Sequence, residues 1–117
     1  MAISPTQRTL RALEQRGCIS GIVERFNQFG GKFGIRQDLF GFIDIISLYP
    51  TGIVGVQSCG QAFSEHMKKI LENEIAPEWI KVAGIELWGW RKVKKTRGGK
   101  LMIWQPRLYV FTKEDFD

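Results

Sequence analysis

FGFIDIISL (residues 40–48), YPTG (49–52) and IVGVQS (53–58) form the stretch that decides the fold. The first run places branched and aromatic residues at successive positions, the pattern of a strand covered on both faces in the middle of a sheet. Tyr49-Pro50-Thr51-Gly52 is turn chemistry, and the chain returns so soon that the two runs predict an antiparallel hairpin. Asp44 is the residue that does not suit burial. An unpaired ionised carboxylate away from water costs several kcal/mol, so Asp44 is paired, protonated, metal-bound or at the rim of a cleft. An ion pair with Arg36, or a cap on the next turn, would also account for it.

Across the hairpin, Asp44 and Gln57 stand at similar distances from the turn, which makes them cross-strand neighbours. Side chains alternate along a strand, so residue 59 points the same way as residue 57 if the strand runs that far. A carboxylate and a second oxygen donor make a compact cation site. Mg²⁺ is often held by one or two protein oxygens, completed by water and substrate phosphate.

Working outward, Ser4-Pro5-Thr6-Gln7 has the form of a capping box, with Ser4 as N-cap, Pro5 in the first turn and Gln7 reaching back. Leu10 and Leu13 give an apolar stripe and Gly17 a stop, which predicts a helix over residues 5–16. Residues 18–29 alternate and predict one strand, broken by Gly30, Gly31 and Gly34. From 62 to 75 the period is helical, with Phe63, Met67, Ile70 and Leu71 on one face and Glu65 four residues before Lys69 on the wet side. Pro77 ends or bends that helix. Strands over 85–93 and 101–111 follow, and Pro106 marks the last as an edge strand or a bulge. Residues 113–117 read as a frayed tail. Helix, three strands, helix and two strands imply a single α/β (α+β) domain over residues 1–117, with a mixed central sheet flanked by helices.

The 117 residues, 44% of them hydrophobic, suffice for one core. Residues 40–48 fall far short of the roughly 20 apolar residues needed to cross a bilayer, so no membrane partner is expected. The opening MAISPTQRTL has neither the basic flank nor the apolar run of a signal peptide, which predicts a cytoplasmic protein. Cys18 and Cys59 lack metal or CxxC spacing and read as reduced packing residues. Charge is concentrated in residues 91–100, where Arg91, Lys92, Lys94, Lys95, Arg97 and Lys100 occur with no acid; without these six the net charge of +5 becomes −1. Such a patch suits a polyanion, because each neutralised phosphate releases counterions. A solubilising hairpin tip is the plainer explanation.

The run RQDLFGFID (36–44), twelve further residues, QSC (57–59) and a following helix resemble the PD-(D/E)XK, or restriction-endonuclease-like, nuclease superfamily, notably its small Holliday-junction-resolvase-like and VRR-NUC-like branches, phage versions included. The αβββαβ core order is similar over nearly all of the chain. The resemblance implies that Asp44 is the metal-binding Asp, that Gln57 stands at the Glu position, and that residue 59 stands where the catalytic lysine belongs. It also implies that an acid of the first helix, here Glu14, assists in some branches. Mg²⁺ or Mn²⁺ would be the cofactor and DNA, branched or otherwise non-B, the substrate. Two residues depart from the pattern. Gln57 would bind an ion through a neutral carbonyl, hence more weakly than Glu. Cys59 can neither orient the attacking water nor offset charge on the five-coordinate phosphate. A lysine from the next helix, Lys69 or Lys68, or Lys32, could replace it, although Glu65 and Glu72 can equally lace Lys68 and Lys69 into a solvated face.

The candidate catalytic residues are therefore Asp44, Gln57, Lys69 and Asp38, with Asp44 and Gln57 as metal ligands. Arg36, His66, Lys68 and the basic residues of 91–100 are the candidate DNA contacts. His66, the single histidine, sits at the margin of a helix face, where it contacts a phosphate, shuttles a proton or packs. Glu24 and Asp38 are further acids near the presumed site, and ion pairs with Arg25 or Arg36 explain them nearly as well. Trp88, Trp90, Trp104 and Tyr109 pack the core, cover a second subunit or stack on unpaired bases. The expected function is a metal-dependent DNA endonuclease, dimeric if it resolves junctions. The rival is a DNA- or protein-binding module that keeps the nuclease fold without catalysis.

Overall fold

The structure, a computed structural model, describes residues 3–27 and 35–117. Helix α1 (Pro5–Gln15) starts at the Ser4 cap: the Ser4 hydroxyl accepts the Gln7 amide at 3.2 Å, and Pro5 fills a first-turn position that needs no amide partner. Strands β1 (Ile19–Ile22), β2 (Arg25–Asn27), β3 (Ile35–Gln37), β4 (Ile45–Tyr49) and β5 (Gly52–Cys59) follow. Then come α2 (Phe63–Leu71), α3 (Ala76–Trp79), β6 (Gly84–Lys94), β7 (Met102–Val110) and a 3-10 turn (Lys113–Phe116). One five-stranded mixed sheet runs in the order β1-β4-β5-β6-β7, with β5 and β6 parallel and the other neighbours antiparallel. β2 and β3 form a separate ribbon. The fold is mixed α+β, with α1 and α2 on opposite faces of the sheet.

Alternation along the strands sorts the core into two layers. Ile45, Val54, Val56, Trp88 and Trp90 face α1 and pack around Leu13. Cys59, Ile85 and Leu87 face α2 and pack with Phe63, Ile70, Phe42 and Ile43. Thr9, fully buried, ties the α1 layer together: its hydroxyl accepts from the Trp90 indole at 2.8 Å and from Ser58 at 2.9 Å, and donates to the Pro5 carbonyl. Among the described residues no helix is long and apolar enough to cross a membrane.

Several sequence expectations need correction. The strand over 18–29 is two strands in different sheets, because the amides of Val23 and Glu24 both turn to the Asp44 carbonyl, at 2.8 and 3.2 Å, and end β1 there. The strand over 40–48 begins only at Ile45. Before it, a three-residue loop, whose Phe40 (φ 56°) and Gly41 (φ 83°) are left-handed, folds Leu39 back onto Ile43. For phenylalanine that conformation costs on the order of 1 kcal/mol, and an Asn73 side-chain amide donating to the Phe40 carbonyl at 3.0 Å holds it. The helix over 62–75 stops at Leu71, since the Asn73 carboxamide oxygen accepts the amides of Ile75 and Ala76 and starts α3 instead. Pro77 thus lies in the first turn of a new helix. The presumed frayed tail is a capped turn whose Phe116 stacks on Phe111 with centroids 5.9 Å apart.

Pro106 does mark an edge strand. Backbone bonds from Lys95 to Leu101 and from Phe111 to Ile85 fix the parity of the β6–β7 ladder, so Pro106 falls at a pair whose backbone polar groups face outward.

Candidate functional site

The β4–β5 ladder ends at Ile45↔Val56, and just before Ile45 the Asp44 amide also donates to the Val56 carbonyl, at 2.8 Å. Both side chains are 3% exposed. Asp44 Oδ2 accepts from Gln57 Nε2 at 2.7 Å and from the Ser58 amide at 2.8 Å. Gln57 thus turns its nitrogen to Asp44, which leaves its Oε1 facing Lys69 Nζ at 3.5 Å. The cross-strand pair read from the sequence is present, with Gln57 as a hydrogen-bond donor to Asp44.

The left-handed turn at Phe40-Gly41 supplies the next carboxylate. Had residues 38–44 been extended, Asp38 would lie about 20 Å from Asp44; the turn brings the two side chains into hydrogen-bond contact. Glu24 arrives through the Asp44 carbonyl, which holds the Val23-Glu24 kink. One oxygen each of Glu24, Asp38 and Asp44 lies within 4.8 Å of the others. These acids, with Gln57, His66 and Lys69, line a cleft of about 270 Å³ bounded on one side by the start of α1. A wider cavity of about 410 Å³ adjoins it through Ser4, Thr6 and Glu24, with Ile22 and Phe26 also in its wall.

Electrostatics separates the two aspartates. Burial, then the hydrogen bond with Asp38, pushes the Asp44 carboxyl up to about 8. Burial opposes ionisation of Asp38 as well, but the hydrogen bonds from Asp44 and Lys69 outweigh it and hold that carboxyl below its usual range. The pair therefore shares one proton, kept on Asp44. Lys69 Nζ lies 3.1 Å from Asp38 Oδ2, with its side chain nearly half exposed in the cleft. The His66 Nδ1 lies 2.7 Å from the Ala62 carbonyl, which can only accept, so that nitrogen carries its proton and Nε2 is the ring atom left to face the cleft.

Lys68, one position from Lys69, is exposed and outside the cleft lining. Glu14 sits near the C-terminal end of α1, eight residues or about 12 Å along the helix from the part that borders the cleft; Glu24 supplies the third acid instead. Cys59 points into the α2 layer, where burial and the nearby Asp44 push its thiol up to about 11. Arg36 lies on β3 opposite Phe26, while its side chain and the whole of Lys32 lie outside the described residues. Arg91, Lys92 and Lys94 belong to the end of β6, with Lys95, Arg97 and Lys100 in the connection to β7; all six are exposed. Since Cys59 pairs with Gly89, this hairpin projects past the end of β5 at which Gln57 and Ser58 lie. Trp88 and Trp90 are core residues, whereas Trp104 and Tyr109 are more than a third exposed.

The chemistry of the donor set fits a hard divalent cation: three carboxylates converge, and one of them is held protonated by burial and by its neighbour Asp38. A scan against protein-family models, a search of curated proteins and a search of solved structures each gave no match.

Proposed function

We propose that the protein is a divalent-cation-dependent DNA endonuclease of the restriction-endonuclease-like kind, acting on branched or otherwise non-B DNA. The observation that carries this reading is the convergence of Glu24, Asp38 and Asp44 with Lys69 in one open cleft, beside a basic hairpin. The element order supports it: with the β2–β3 ribbon and the one-turn α3 set aside, α1, β1, β4, β5, α2 and β6 follow the αβββαβ order of the family the motif resembles.

Glu24, Asp38 and Asp44 would hold Mg²⁺ or Mn²⁺, which supplies Lewis-acid stabilisation of the phosphate as it becomes five-coordinate. Lys69 reaches the cleft from α2 and takes the role that Cys59 cannot fill, placing its ammonium against a phosphate oxygen. Gln57 orients both, through Nε2 to Asp44 and Oε1 to Lys69. His66 Nε2 is placed to exchange a proton in the cleft. Arg91, Lys92, Lys94, Lys95, Arg97 and Lys100 grip the backbone, and paired cuts in a junction call for a homodimer.

The test is incubation with Mg²⁺ or Mn²⁺ and plasmid, linear, single-stranded or four-way-junction DNA. Cleavage that disappears in EDTA and in Asp44→Ala is expected. No cleavage, or cleavage that survives Asp44→Ala, overturns the reading. The burial of Cys59 favours a second one, a nucleic-acid-binding module that lost catalysis; it predicts binding unchanged by EDTA and by Asp44→Ala.

A further inference from the structure

We propose that the groove between α1 and β7 binds a single nucleic-acid strand, with Arg8, Arg11, Lys92 and Lys94 on its phosphates and Trp104 as a platform for its bases. This surface is distinct from the acidic cleft and does not rest on the nuclease reading. Arg8, Arg11, Ala12 and Gln15 recur at helical spacing and line one side of the groove, with Trp90 and Trp104 also in its lining. Lys92 stands directly opposite Trp104 across the β6–β7 ladder, and Lys94 opposite Met102. Alternation puts Lys92 and Lys94 on the sheet face that α1 covers, the face of Trp88 and Trp90. Four cations therefore converge on one face, and the groove lining contains no acid.

Trp104 is what turns a basic patch into a strand site. Trp88, beneath Arg16 at 4.8 Å, is 1% exposed and belongs to the core; Trp104, beneath Arg8 at 4.1 Å, is 44% exposed. An exposed indole among cations offers stacking to any base, and so does the guanidinium over it. A second copy is a poor occupant. It would bring the same four cations against themselves, and Pro106 interrupts the outward-facing backbone groups that a pairing strand would need.

The test is fluorescence anisotropy in EDTA with labelled oligo(dT) longer than about 16 nucleotides, an abasic strand of equal length, and polyglutamate. Oligo(dT) should bind best. Trp104→Ala should weaken it about 5- to 150-fold, the range for loss of one stacked base, while Trp104→Phe retains most of the affinity. Arg8→Gln/Arg11→Gln should lower the slope of log affinity against log salt by about 1.4. Because binding is read in EDTA, the test stays separate from that of the cleft. Equal binding of the abasic strand or of polyglutamate overturns the proposal, as does oligo(dT) affinity unaltered in Trp104→Ala and in the arginine variant. Should Trp104→Ala fail to melt cooperatively, the abasic strand and the arginine variant, whose changes lie on a helix face, decide the matter.

Discussion

If the acidic cleft holds a divalent cation, the proton on Asp44 must leave first, and this competition sets the pH dependence of binding. With the carboxyl near 8, the deprotonated fraction is about one in a hundred at pH 6, one in eleven at pH 7 and one half at pH 8. Apparent affinity for Mn²⁺ should therefore rise about 50-fold from pH 6 to pH 8 and flatten above it, where an ordinary carboxylate would give no change. Isothermal titration at pH 7 in two buffers of different ionisation enthalpy should report release of about 0.9 proton per ion bound. Asp44→Asn keeps the hydrogen bonds from Gln57 and Ser58 but has no proton to lose, so it should bind more weakly and with a flat profile. Affinity that varies less than about threefold between pH 6 and 8, or an identical slope in Asp44→Asn, would refute the assignment of Asp44 as a protonated ligand.

Without metal, the same proton governs stability. The folded pKa of Asp44 lies above the unfolded value of 3.8, so its contribution is complete below that value and is lost as pH rises through about 8. Asp38 shifts in the opposite direction and changes protonation below pH 4, outside that window. Urea midpoints in EDTA should fall from pH 5 to pH 8 and should be flatter for Asp44→Asn; parallel slopes would exclude Asp44 as the source. Lys69→Met should lower cleavage kcat/KM by about 100-fold or more with little change in melting, because its ion pair is exposed. Lys68→Met should leave kcat/KM unaltered, and equal losses would count against the placement of Lys69. Thr9→Val leaves the buried Trp90 N–H without an acceptor, at about 1–3 kcal/mol, and should lower Tm by roughly 5–15 °C; an unchanged Tm would show that the network carries no weight.

The parts of this fold that the sequence discloses are those fixed by local chemistry. Ser4, Pro5 and Gly17 bound α1 because each satisfies a backbone requirement at its own position. Pro50 and Gly52 set the turn, and counting back from it sets Asp44 beside Gln57, whose side chains do meet. The parts it conceals are set by partners far along the chain. Phe40 holds a left-handed conformation that phenylalanine disfavours, and Gly41 beside it is the one local sign of a turn there. What holds the Phe40 carbonyl is Asn73, 33 residues on. The same distance problem hides how Glu24, rather than Glu14, reaches the other acids, since it is the Asp44 carbonyl that accepts the Val23 and Glu24 amides and ends β1 there. Arg8 and Arg11 look like ordinary solvated helix residues until β7 is placed beside them.

Asp44 joins these two kinds of information. Its amide, carbonyl and carboxylate all have partners, on β5 and in the Val23-Glu24 kink, so the backbone around it is fully satisfied. The charge is not: even with two donors on Oδ2, burial and Asp38 still favour the protonated form. Asparagine would accept the same two hydrogen bonds and donate to Asp38 without a charge to desolvate. A carboxylate at this position is thus poorly explained by stability and better explained by chemistry that needs a removable proton and a negative site. Local preference fails at a residue whose backbone is satisfied and whose charge is not. The proposed nuclease reading accordingly stands or falls on whether Asp44→Asn gains stability at pH 8 while losing metal affinity and cleavage, since a purely structural aspartate would lose stability and leave no activity to lose.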